Sequence, residues 1–163
     1  MRIIARAVAV AVAGLLVAAL PATAQTDVGG SVPSYMELRL DEPEGFASFP
    51  AGAGEHELSI RTRVTSTTRS ARLSAVDGDL VAGSRLGRLA SGASVLDEPL
   101  EARVGSTAFQ PLDATIDPLL VEFGRPVANE RATIRLRQRI NAGERPRGTY
   151  TKTLLITLSS NAP

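Results

Sequence analysis

Arg131, Arg135, Arg137 and Arg139 occupy odd positions of one short stretch of the chain. In an extended strand, alternate side chains leave from one face about 7 Å apart, so these four guanidinium groups form a line. Paired donors on each group suit phosphate and carboxylate, which makes the line a candidate face for an anionic ligand or partner. The bias is wider than the line itself. Between Arg131 and Arg147 there are six arginines and one acid, Glu144, whereas between Glu37 and Glu57 there are six acids (Glu37, Asp41, Glu42, Glu44, Glu55, Glu57) and one base, Arg39. Two functional readings follow: a site for anionic envelope polymers, or a basic face that meets the acidic face of a second copy. Without a function, the arginines form a solvated face whose acids come from neighbouring strands.

A search for catalytic groups assigns no catalytic, cofactor-binding or metal-binding residue. His56 is the single histidine and sits between Glu55 and Glu57 at the start of a strand, where an exposed strand-edge position is expected. No G-x-S-x-G elbow accompanies it. Asp77-Gly78-Asp79 could begin a calcium loop, but the later EF-hand positions do not follow, and a hairpin turn on Asp-Gly explains it better. With 17 acidic residues a carboxylate pair can always be chosen, and no aromatic platform marks a sugar site. Neither a Walker loop nor a dinucleotide fingerprint occurs. The chain is therefore expected not to be an enzyme and to need no cofactor.

Strands must position these residues. Apolar and polar residues alternate at 36 to 40, 57 to 64, 71 to 75, 100 to 104, 131 to 140 and 149 to 159, and a mostly apolar run spans 119 to 123. A period of two is the mark of a half-buried strand. Prolines and glycines cluster between these runs, and four glycines in the stretch from Asp77 to Pro99 oppose a helix there, leaving turns and short strands. About seven strands predict an all-β chain, an immunoglobulin-like β-sandwich. Tyr150, opening the last run, is expected as a structural corner, its ring tucked into the core.

Residues 1–24 read as a signal peptide. Arg2 and Arg6 precede an uncharged apolar stretch from Ala7 to Leu20, then Pro21 and the small residues Ala22, Thr23 and Ala24, with the cut before Gln25. That stretch is shorter than the roughly 20 residues a bilayer core needs, so no transmembrane anchor is expected after cleavage. Residues 25–163 then form one domain. The leader holds two of the 18 basic residues and none of the 17 acids, which leaves the remainder near neutrality and argues against nucleic acid as a partner. All basic residues but Lys152 are arginines, a bias expected of GC-rich coding. No cysteine is present, so neither disulfides nor a lipidated cysteine enter the account.

The segments Val32 to Leu40, Gly45 to Phe49, Val64 to Thr67 and Arg147 to Leu154 resemble those of small secreted β-sandwich proteins of high-GC Gram-positive bacteria, related to WxL-like surface domains. The resemblance implies an exported, cell-envelope-associated immunoglobulin-like module. The chain has no Trp, so peptidoglycan attachment does not carry over. The segment from Gly148 to Leu158 also looks like the last strand of secreted pilin and coat proteins. The expected function is a non-enzymatic, secreted or envelope-associated module that binds an envelope component or a protein partner, retained non-covalently if at all. The alternatives are a structural subunit of a surface polymer and, third, a cell-wall hydrolase. Intact-mass measurement of the secreted protein should show a chain beginning at Gln25; a species retaining Arg2 and Arg6 would refute the leader.

Overall fold

The computed structural model describes residues 33–41, 45, 53–79, 83–114 and 118–160. The expected leader and its cleavage site lie outside the described residues.

Among the described residues the fold is all-β, with antiparallel strands and no α-helix. Alternation dictates the two longest strands. In β2 (Gly54–Ser66) and β9 (Val127–Ile140), Ile60, Thr62 and Val64 of the first and Ala132, Ile134 and Leu136 of the second point inward, with charged residues between them. They pair in one continuous register that sets Ile60 opposite Ile134 and Leu58 opposite Leu136. β1 (Met36–Leu40) adds to Thr62–Ser66 of β2. On the other side of β9 lie β6 (Glu101–Val104) and the two-residue β7 (Gln110–Pro111), completing a five-stranded sheet in the order β1-β2-β9-β6-β7. A second sheet has the order β10-β3-β8, from β10 (Leu154–Ser160), β3 (Ala71–Asp77) and β8 (Leu119–Phe123). The small hairpin of β4 (Ala90–Ser91) and β5 (Ser94–Val95) stands apart.

One aliphatic core joins the two larger sheets. Ile60, Ala102, Val104, Ala132, Ile134 and Leu136 of the five-stranded sheet meet Leu73, Ala75 and Leu120 of the three-stranded one, an arrangement compatible with a β-sandwich. Each Val, Leu and Ile side chain among these contributes on the order of 1.5 to 3 kcal/mol by leaving water.

Three expectations are corrected. The last strand begins at Leu154 rather than at 149, because Thr151 bridges to Ala90 while only Leu154 to Ser160 pair with β3. Tyr150 therefore precedes the strand, and its half-buried ring packs on a separate cluster of Leu89, Leu96 and Ile140. The Asp77-Gly78 turn does not join two paired strands, since the neighbours of β3 are β10 and β8. It leads instead toward a 3-10 turn at Gly83–Arg85.

Gly87 fixes this region. Its φ is +69°, and a Cβ there would collide with the backbone of Leu112 and Asp113. Its N–H donates to Asp77 Oδ2 at 2.6 Å and its carbonyl accepts from Leu100 N at 2.8 Å. Gly92, at φ +60°, has open space around its missing Cβ. Gly92→Ala should cost about 1 kcal/mol, the left-handed penalty alone, and Gly87→Ala more than about 3 kcal/mol. Urea melts of the two variants check this; equal losses would contradict the close approach.

Candidate functional site

The outer face of the five-stranded sheet carries the arginine line. β9 presents Arg131, Thr133, Arg135, Arg137 and Arg139 outward, and β2 answers with Glu55, Glu57, Ser59, Arg61 and Arg63. Arg131, Arg135 and Arg139 are exposed, and Arg137 is half-buried. The register then decides which charges meet: Glu55 faces Arg139, Glu57 faces Arg137, Ser59 faces Arg135 and Arg63 faces Arg131. From the other side β6 sets Glu101 against Arg137 and Arg103 against Arg135. β1 extends the far row, placing Arg39 beside Arg63.

The line therefore divides. At one end Arg137 Nε donates to Glu101 Oε2 at 2.7 Å, with both side chains only 15% exposed, and Arg137 Nη1 lies 3.6 Å from Glu55. Arg139 Nε donates to Glu55 at 3.1 Å and Arg139 Nη2 lies 3.6 Å from Glu101. Arg103 lies 3.9 Å from Glu57. Phe109 closes this end, with the guanidinium carbons of Arg137 and Arg103 at 3.9 and 4.2 Å from its ring centre. Here neighbouring strands supply the acids, and Glu55 and Glu57 are engaged within the chain.

At the other end the balance is cationic. Arg39, Arg63 and Arg131 form one row across three strands, Arg61 lies next to it on β2, and Arg135 follows on β9. Among the described residues, none of Arg61, Arg63, Arg131 and Arg135 has a carboxylate within ion-pair distance. Glu37 is taken by its own strand: Arg39 Nε donates to it at 2.6 Å and the Tyr35 hydroxyl at 2.9 Å. These bonds, that from Arg39 first, hold the Glu37 carboxyl below its ordinary range. The hydrogen bond to Glu37 in turn pushes the Tyr35 hydroxyl up.

Beside this row a shallow pocket is lined by Glu37, Arg39, Arg63, Thr65 and Asn129. It arises where the β2–β9 register shifts between Val64 and Ser66. Asn129 adopts φ +54° there, the only non-glycine positive φ among the described residues. Its N–H donates to Thr65 Oγ1 at 3.1 Å and its side-chain oxygen accepts from Arg63 at 3.3 Å. Backbone strain of this kind persists only where surrounding bonds hold it.

The remaining sequence candidates fall elsewhere. Contrary to the expected exposed edge, His56 is half-buried on the inner face of β2, opposite Gln138. Gln138 is fully buried and its Nε2 donates to the carbonyls of Glu98 and Arg139. Among the described residues no group of three or more His, Cys, Asp or Glu side chains is placed to hold a metal ion, and no helix is long and apolar enough to cross a membrane. Arg61, Arg63 and Arg39 were missed as site residues. Their alternation was legible, but only the register shows that they stand beside Arg131.

No family model matches this chain. No curated protein and no solved structure matches it either.

The division of the line has an energetic signature. Arg137→Ala removes the 2.7 Å partner of half-buried Glu101, leaving it only Arg139 at 3.6 Å, and should cost about 1 to 3 kcal/mol, whereas Arg135→Ala should stay within about 0.5 kcal/mol. Denaturant melts compare the two directly, and equal losses would contradict the division.

Proposed function

We propose that this protein is an exported, non-enzymatic, immunoglobulin-like β-sandwich module of the cell envelope that binds a polyanionic envelope component through Arg39, Arg61, Arg63, Arg131 and Arg135. The observation that carries this reading is the row of directly opposed arginines, Arg39–Arg63–Arg131. Like charges opposite one another on a sheet destabilise it. At the other end of the same two strands each arginine meets an acid, whereas in this row Arg39 alone has one, Glu37 of its own strand, and among the described residues Arg63 and Arg131 are left without. A ligand bearing repeated phosphate or carboxylate groups would neutralise it, and guanidinium forks suit both anions. Strands about 4.8 Å apart and outward residues about 7 Å apart make a lattice on which such a polymer can lie in several registers. Export and envelope association draw on the leader-like residues 1–24 and on the resemblance to WxL-like surface proteins.

The alternative, a structural subunit of a surface polymer, draws on the exposed apolar residues of the edge strands, Met36 and Leu40 on β1 and Leu155 on β10. Edge strands that keep such residues exposed invite strand pairing between chains.

Co-sedimentation with isolated cell-wall material tests the leading reading. Arg63→Glu combined with Arg131→Glu should weaken binding about tenfold or more, and added salt should weaken the parent protein in the same way. The charge-matched pair Arg125→Glu and Arg147→Glu, both outside the row, should bind as the parent does. Equal loss in both pairs would reduce the effect to net charge, and a parent protein that assembles but binds no wall material would favour the polymer subunit.

A further inference from the structure

One lysine occurs among the 18 basic residues, and it is buried. Lys152 lies just before β10 and Asp77 ends β3, two strands paired so that Leu154 faces Asp77. Lys152 Nζ is 2.6 Å from Asp77 Oδ2, with the two side chains 3% and 0% exposed. A second carboxylate, Asp79 Oδ2, lies 3.2 Å from the same nitrogen, and the carbonyl of Arg85 accepts from it at 3.2 Å. Two backbone N–H groups hold the Asp77 carboxyl: Gly87 donates to Oδ2 at 2.6 Å and Asp79 to Oδ1 at 2.9 Å.

For a plain buried ion pair, arginine is the better cation, being more weakly hydrated and able to bind both carboxylate oxygens. This chain uses arginine at every other basic position. What lysine alone offers is an amine that becomes a nucleophile once it loses a proton.

We propose that Lys152 and Asp77 condense into an intramolecular isopeptide bond. The reaction begins with transfer of one ammonium proton across the 2.6 Å contact to Asp77 Oδ2, which gives the neutral amine and the neutral acid that react. The Nζ lone pair attacks Cγ of Asp77, forming the N–C bond. The N–H of Asp79 stabilises the oxyanion on Oδ1, as a donor aimed at a developing negative charge does, while Oδ2, which faces Nζ at 2.6 Å, becomes the departing oxygen. Asp79 accepts a proton from the nitrogen and passes it to one departing carboxyl oxygen. The C–O bond breaks and that oxygen leaves as water, carrying two of the three ammonium protons. The third stays on the amide, Asp79 ends as it began, and no oxidant or reductant is needed. The product joins residues far apart in a chain that has no cysteine with which to do so.

Peptide mapping of the purified protein, denatured and cut with trypsin, tests this. With the bond in place, Lys152 resists cleavage and residues 148–163 emerge joined to residues 73–85, the pair lighter by one water than the sum of the two. The intact protein is lighter by the same water, but cyclisation of an N-terminal glutamine removes an ammonia, so the branched peptide is the decisive reading. Lys152→Arg, which keeps the charge, and Asp77→Ala should both lack it. Asp79→Asn should leave the bond incomplete, and full joining in that variant would remove Asp79 from the step. Release of a free peptide 148–152 from the parent protein, with no branched species, would overturn the proposal and leave Lys152 as an ion-pair partner only.

Discussion

The antiparallel pairing of β2 with β9 is the constraint from which the rest of this structure follows. Both strands alternate with a period of two, so a slip of one residue in either would turn Ile60, Ile134 or Leu136 to water and drive arginines into the aliphatic core. The cost of burying even one unpaired guanidinium exceeds what any alternative pairing returns. The register is therefore held by the core, and the charged face has to accept whatever neighbours that register supplies. Glu55 and Glu57 fall opposite Arg139 and Arg137, whereas Arg63 falls opposite Arg131. One end of the face neutralises itself, and the other accumulates charge.

Strand positions were legible because alternation is a local property. The runs at 36 to 40 and 119 to 123 read correctly from residue type alone, that at 131 to 140 lies within β9, which begins earlier at Val127, and the stretch after Asp77 yielded the expected turns and short strands. What could not be read was decided by pairing across the chain. The arginine line looked uniform because spacing within β9 says nothing of Glu101, which reaches Arg137 from β6. The pocket at Asn129 depends on a register shift that leaves no mark in composition. Gln138 breaks the aliphatic rule at an inward position, where its Nε2 finds two backbone carbonyls while its buried Oε1 has no hydrogen-bond partner among the described residues. Tyr150 was placed at a strand opening because Thr149 to Ser159 alternates without interruption, yet the chain there changes partners, from Ala90 to β3.

The two sheets are unequally secured. β9 pairs with β2 along most of its length and with β6 from Ile134 to Arg137, and its inward residues are buried. Among the described residues β10 has β3 as its one bonded neighbour, and its inward residues Leu154, Ile156 and Leu158 are only half-buried. An edge strand held by one ladder and a partial apolar face is where a sheet opens first. The contact between Lys152 and Asp77 sits where the chain enters that strand, and Gly78 N–H donates to the Thr153 carbonyl at 2.9 Å beside it. Asp77 is thus tied at once to Gly87, to its own turn through Asp79, and to the residue that leads into β10. A chain without cysteine must secure its weakest strand by other means, and it places its one lysine at the point where that strand begins.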